Sequence, residues 1–302
     1  MFKNNNTCLA VFTGIIGVVF FSAKAVMVKL AYQYDVSPVN LLMFRMLFAL
    51  PFYIVILFIT RKKSEEHGLG VKDFIWLLFF GFIGYYLASY FDFLGLQYIK
   101  ASIERVILFI YPTIVVILSA VFLKRKVGPV QILAIAITYV GVLVAFWDEF
   151  RIEGSEFLTG AGLIFLSALT YASYLTGSDF LIPKFGVLRF TSYAMIIACI
   201  SVVTHCSLSE EASLSGYHAN VYWLGLAMAF LSTVIPSFMV SYSIKEIGAS
   251  NFSVLGSLGP VSTIILASIF LDEKFTILQM GGTIIVIFGV VVISLQKRRK
   301  HT

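Results

Sequence analysis

The chain repeats itself. Sliding it by 148 residues superposes Pro112 on Pro260, Ala101-Ser102 on Ala249-Ser250, Phe122-Leu123 on Phe270-Leu271, Gln131 on Gln279 and Gly141-Val142 on Gly289-Val290. Only 13% of the residues are charged and 59% are hydrophobic, against roughly 25% charged in soluble domains. The repeated unit is therefore a membrane unit. A helix needs about 20 mostly apolar residues to cross a bilayer. Stretches of that kind lie near 9–31, 38–60, 74–96, 102–123 and 129–147, and again near 157–178, 190–207, 221–243, 250–271 and 277–295. Five spans per copy is an odd number, so the two copies must cross in opposite senses. The sequence predicts an all-α membrane protein with ten transmembrane helices, arranged as two inverted five-helix repeats. Residues 1–147 form the first repeat, 148–156 an external acidic linker, and 157–302 the second repeat with a basic cytoplasmic tail.

Little chain is left over for a soluble domain with its own active site. The net charge of +6 is topological, because most Lys and Arg cluster on one side of the ten-span arrangement, as in Lys124-Arg125-Lys126 and Lys297-Arg298-Arg299-Lys300. The positive-inside rule places both termini in the cytoplasm, in an inner (cell) membrane. No nucleic-acid partner is expected; the C-terminal basic run suits anionic lipid. Cys8, Cys199 and Cys206 have no metal spacing and read as ordinary apolar positions. Lys3, the apolar run 9–21 and Ala23-Lys24-Ala25 imitate a cleavable signal. Against cleavage, Gly17 and Ser22-Ala23 match Gly162 and Ser167-Ala168 in the second half.

Inverted repeats with helices interrupted at equivalent places are the architecture of secondary transporters, whose substrate site lies between the halves. Pro112 and Pro260 fall midway along spans 4 and 9. A proline there removes a backbone hydrogen bond and breaks the helix, which hydrocarbon tolerates only where protein or a wet cavity takes up the freed groups. Tyr111 and Pro112 on one side, with Ser257, Gly259 and Pro260 on the other, are therefore candidate site residues. Pro51 and Pro236 lack matched partners and read as kinks.

Charges inside spans are costly and point to function. Lys24 and Lys29 (span 1), Arg45 (span 2), Asp92 (span 3) and Glu104-Arg105 (span 4) all fall in the external half. Lys24, Arg45 and Asp92 lie only about 6–11 Å below the outer surface at 1.5 Å per residue. Four cations against two anions make a positive vestibule. Lys29, Arg45 and Arg105 are long enough to snorkel to the headgroups. Asp92 is too short for that and is expected to pair with Lys24 or Arg45, as a static bridge, a gate or part of a proton or substrate-charge relay. Deep tyrosines need a hydroxyl partner, which adds Tyr86 and Tyr171 to the candidates, beside Tyr85 and Tyr174. Ser237 supplies a further polar contact, although serine also serves close helix packing. Spans 5 and 10, nearly free of polar groups and carrying Gly141 and Gly289, read as a scaffold or homodimer face.

No P-loop, His-x-x-x-His pair or Gly-x-Ser-x-Gly motif is present. No cofactor, metal or enzymatic activity is expected, and the energy source is an ion or substrate gradient.

Over its full length the chain resembles the drug/metabolite transporter superfamily, in particular EamA-type permeases. The resemblance rests on the ten-span duplication, Pro38 followed by Arg45, and Ile247-Gly248-Ala249-Ser250 leading into Gly259-Pro260. It rests also on Phe270-Leu271-Asp272-Glu273-Lys274, which is similar to the family's Phe-Leu-x-Glu signature. Two positions depart from the pattern: Lys124-Arg125 stands where the first-repeat glutamate would lie, and Phe21-Ser22 where relatives have Trp-Gly. The resemblance implies alternating-access movement of small metabolites or drugs, through a cavity built mainly from spans 1, 3, 4, 6, 8 and 9. With the positive vestibule, the expected cargo carries a carboxylate, as an amino acid does. The alternatives are efflux of a cationic drug, for which Asp92 would be the deep carboxylate, and a membrane receptor or assembly subunit that transports nothing.

Overall fold

The computed structural model describes residues 2–61, 69–145, 147, 156–208, 213–270 and 276–299. Among these there is no strand. Helix is the form in which one apolar segment satisfies its own backbone without water. Among the described residues, seven helices are long and apolar enough to cross a membrane: Thr7–Tyr32, Pro38–Thr60, Val71–Tyr98, Glu156–Phe185, Val187–Leu208, Ala219–Ile247 and Ala249–Phe270. The other three expected spans appear as shorter apolar helices, Tyr111–Phe122, Pro129–Val144 and Met280–Gly289. The protein is an all-helical, multi-pass membrane protein.

In chain order, α1 (Phe2–Tyr32) and α2 (Pro38–Arg61) are continuous. The next span is α3 (Val71–Gly81) and α4 (Ala88–Tyr98), joined by a π-helical turn over Phe82–Leu87. Then come the short α5 (Ala101–Leu108), α6 (Tyr111–Phe122) and α7 (Pro129–Ala145). α8 (Glu156–Phe185) and α9 (Val187–Leu208) follow. α10 (Ala219–Ala229) runs through a second π turn, Phe230–Val234, into α11 (Ile235–Ile247). The chain ends in α12 (Ala249–Leu255), α13 (Leu258–Phe270) and α14 (Ile277–Arg299). The acidic stretch 148–155, the signature residues 271–275 with Glu273, and Lys300 lie outside the described residues.

The two π turns were not expected. Ala88 N–H bonds back to Ile83 O and Ile235 N–H to Phe230 O, each five residues earlier. The turns begin at Phe82 and Phe230, the same 148 residues apart as the two prolines. π turns are frequent at functional sites; the first lines the cavity described below, and the second reaches it through Arg45.

Helices from the two ends of the chain interleave. α1 packs on α11 and α13, α2 on α9 and α10, and α4 and α6 on α8. α7 packs chiefly on α14, and that seam is reciprocal. A Cβ added at Gly141 would meet Val286 N at 2.7 Å, and one at Gly289 would meet Thr138 Cγ2 at 2.5 Å. Only glycine lets the two backbones approach so closely. Ion pairs tie the body together at both ends. Lys184 Nζ lies 2.6 Å from Asp73 Oδ1 and Arg125 Nη1 lies 2.8 Å from Asp179 Oδ2. At the other end, about 28 Å along the same span at 1.5 Å per residue, Lys24 meets Asp92.

Candidate functional site

Each proline lies in the first turn of the helix that follows a break. Pro112 is the second residue of α6 and Pro260 the third of α13. First-turn N–H groups have no intrahelical partner, so proline removes nothing there. The preceding helices, α5 and α12, each stop two residues short of the next helix. The backbone tightens across both gaps: Ile110 N bonds to Ile107 O at 3.1 Å, Ser257 N to Val254 O at 3.1 Å and Gly259 N to Gly256 O at 2.8 Å. Gly259 O also accepts from Ser22 Oγ of α1 at 3.1 Å. The two breaks meet, because the Tyr111 hydroxyl donates to Ser253 O at 3.4 Å.

A cavity of about 80 Å³ opens at this meeting point, well above the roughly 10–15 Å³ that holds one water. Three of its lining side chains are cationic, Lys24, Arg45 and Arg105, and none is acidic. Tyr85, Tyr111 and Tyr171 give it aromatic faces, and Ser22, Ser89 and Ser167 give it hydroxyls. Its contributing spans are 1, 2, 3, 4, 6 and 9. Span 8 does not line it, contrary to what the family resemblance implies; its π turn acts through Arg45 instead. Arg45 Nε donates to Thr233 Oγ1 at 2.6 Å and Nη1 to Ser89 Oγ at 3.3 Å. The guanidinium is 1% exposed and stands 5.7 Å from the Phe93 ring centroid, a cation–π contact.

Lys24 Nζ lies 2.5 Å from Asp92 Oδ2, with the two side chains 12% and 1% exposed. Glu104 is fully buried, with Oε2 3.0 Å from Arg105 Nε. Arg105 Nη2 also donates to Phe21 O at 3.4 Å. Lys29 and Arg105, read from sequence as snorkelling, find partners inside the protein, as Arg45 does. Arg45 and Arg105 are buried against polar partners, and Lys29 Nζ donates to the Leu96 carbonyl at 2.6 Å. A buried ion that finds a carboxylate or carbonyl has no need to reach a headgroup.

Of the residues singled out from sequence, Lys24, Arg45, Tyr111, Tyr171, Gly259 and Pro260 line the cavity together. Asp92 stands one contact behind, through Lys24. Pro112 and Ser257 are buried at the breaks, where Ser257 Oγ bonds to Val254 O. Tyr86 and Ser237 do not line this cavity. Tyr86 packs among Phe82, Tyr90 and His205, while its neighbour Tyr85 faces the cavity. Ser237 bonds to the Tyr53 hydroxyl at 2.9 Å and to Val234 O, so it serves packing between α2 and α11. Ser89, Phe252 and Gly256, which nothing in the sequence singled out, also line the cavity, as does Arg105, read there only as a charge within a span. For Arg105 a signal existed, since a charge beside Glu104 near a break is rare in a span.

Comparison with known proteins agrees with this architecture. One solved crystal structure superposes with a TM-score of 0.76 over 97% of this chain and 99% of its own, at 14% identity, which shows the fold alone. The uncharacterized transporter YcbK of Bacillus subtilis is 29% identical over 297 residues, covering 95% of this chain and 94% of that one. YyaM of the same organism is 30% identical over 249 residues, 80% and 79% of the two chains. The uncharacterized inner membrane transporter YicL of Salmonella typhimurium is 25% identical, over 89% of each. Residues 9–147 and 158–295 each match one family description, and on that ground the chain belongs to the EamA-like transporter family.

Proposed function

We propose that the protein is a secondary transporter of the cytoplasmic membrane that carries a small carboxylate-bearing metabolite, an amino acid among them, by alternating access. Two five-helix repeats of opposite orientation, with both termini in the cytoplasm, frame one site between them. The observation that carries this reading is the lining of the cavity, with three cations, aromatic faces, hydroxyls and no acidic side chain. Arginine presents a planar fork suited to a carboxylate, and lysine a point charge beside it. The reading is supported by breaks and π turns recurring 148 residues apart, by the reciprocal Gly141 and Gly289 contacts, and by the family match falling twice along the chain. Inverted repeats of this kind move by rocking one half against the other around a fixed site.

A cationic drug would want an acidic wall, and here both neighbouring carboxylates are engaged, Asp92 by Lys24 and Glu104 by Arg105. The test is reconstitution into liposomes with counterflow of labelled amino acids, other small carboxylates and cationic dyes. Exchange of one or more carboxylates, competed by related anions, is expected. Exchange of cationic dyes alone would reverse the substrate class, and absence of any flux would favour a receptor or assembly subunit.

A further inference from the structure

Behind the cationic lining lie two buried carboxyls. Asp92 comes from α4 and is 1% exposed; Glu104 comes from α5 and is fully buried. Both lie behind the same cavity, each against one of its lining cations. None of their four oxygens accepts a directed hydrogen bond from the described residues. Their partners are ionic, Lys24 for Asp92 and Arg105 for Glu104. Two carboxylates brought together out of water repel each other, and the arrangement is relieved when one carries a proton and donates it to the other.

We propose that the Asp92–Glu104 pair is a proton-binding site, and that its loading releases one of the two cations, Lys24 or Arg105, to hold the substrate's anionic group, so that a proton and an anionic substrate travel in the same direction. This deepens the carboxylate-transporter reading and rests on it. The balance is simple. A proton taken from water on one side attaches to a carboxylate oxygen of the pair, is shared as O–H···O between the two carboxyls, and leaves to water on the other side. No bond other than O–H forms or breaks. With both carboxyls ionised, one positive charge of the three lining cations is uncompensated. The proton adds one positive charge and a substrate bearing one net negative charge removes it. Empty and doubly loaded carriers therefore bear the same net charge, and neither is favoured over the other in crossing a low-dielectric barrier.

The groups facing the pair are accounted for from each neighbouring element. α1 supplies Lys24 and Tyr32, whose hydroxyl donates to Phe93 O at 2.7 Å. α2 supplies Arg45, and α5 supplies Arg105. Tyr111 of α6 and Tyr171 of α8 stand beside Arg105 across the cavity. Lys24 and Arg105 are the cations that both touch the pair and line the cavity, so one of them is what a proton sets free.

The experiment has two arms. Infrared difference spectroscopy of the purified full-length protein, in buffers of stepped pH and in heavy water, looks for the carbonyl stretch of a protonated, buried carboxyl. A titrating, deuterium-sensitive band that Glu104→Gln removes is expected; its absence from the wild type would overturn the proposal. In proteoliposomes carrying a carboxylate that exchanges by counterflow, an acid-outside gradient is expected to drive its accumulation inside. Glu104→Gln and Asp92→Asn should lower accumulation to the level seen without a gradient, while still exchanging substrate at a reduced rate. Accumulation driven by an alkaline exterior, or equal gradient-driven accumulation in Glu104→Gln and wild type, would overturn it. A titrating band with no carboxylate exchanged would uphold the proton site and remove the substrate class instead.

Discussion

The hydroxyl of Tyr111, in the first turn after one helix break, lies against Gly256, the residue that closes α12 at the other break. A Cβ at position 256 would stand 2.8 Å from Tyr111 Cζ and 3.0 Å from Ser253 O. The breaks are thus in direct contact at the floor of the cavity, and movement of one is felt by the other.

Gly256→Ala is expected to push the Tyr111 ring out of place and slow substrate exchange by at least about tenfold, or roughly 1.4 kcal/mol in the barrier. Overpacking of this kind costs about 1–3 kcal/mol. Combining it with Tyr111→Ala, which vacates the space, should recover part of the rate. Counterflow in proteoliposomes with matched protein content measures both; a Gly256→Ala protein as fast as wild type would separate the breaks from transport.

Lys24→Ala removes one partner of a buried ion pair and leaves the Asp92 charge behind, a loss that typically costs about 3–5 kcal/mol. Reduced membrane abundance and a lowered melting temperature in detergent are expected. Adding Asp92→Asn should restore abundance, because the stranded charge is gone, without restoring transport, because the cavity has lost a cation. Recovery of both together would make the pair purely structural.

Arg45 depends on the second π turn. Replacing its acceptor by Thr233→Val leaves a charged donor without its 2.6 Å partner, worth about 1.5–3 kcal/mol for a hydrogen bond to a charged group. Substrate affinity should weaken about tenfold or more if the guanidinium swings out of the cavity. Arg45→Lys, which keeps the charge and loses the fork, should weaken it similarly. Equilibrium binding to the purified protein checks both.

At the α7–α14 seam, Gly289→Leu would drive a side chain into Thr138 and Ala134. A drop of about 1–3 kcal/mol in stability is expected, read as an earlier midpoint of unfolding in denaturant. No described residue of α7 or α14 lines the cavity, so the KM of the protein that remains folded should stay the same.

Much of this site was legible in the sequence, for identifiable reasons. Matched prolines announce broken helices because proline cannot continue one. Asp92 is too short to escape the membrane, so its pairing with a nearby cation follows. The facing of Tyr85 and Tyr86 was not legible. A π turn winds one surplus residue into the helix, which turns the following side chains by about 100° relative to an ideal helix. Counting at 3.6 residues per turn therefore exchanges their roles. Arg105 reads as a snorkelling residue because the length of a side chain is visible in sequence and its buried partners are not. The span is in fact two short helices, and α5 aims Arg105 at Phe21 and the cavity. Ser237 was misplaced for a plainer reason: a buried serine satisfied by Tyr53 looks, in sequence, the same as one facing water.

The surplus residue at Phe82–Leu87, and its counterpart at Phe230–Val234, give the two walls a latitude that regular helices lack. Such a bulge can slip along by exchanging one carbonyl partner for the next, swivelling the side chains it passes while both ends of the rod stay anchored. The wall that carries Tyr85 can be re-papered in place this way, while at the second bulge Thr233 shifts the anchor that holds Arg45, with no change in either span's length.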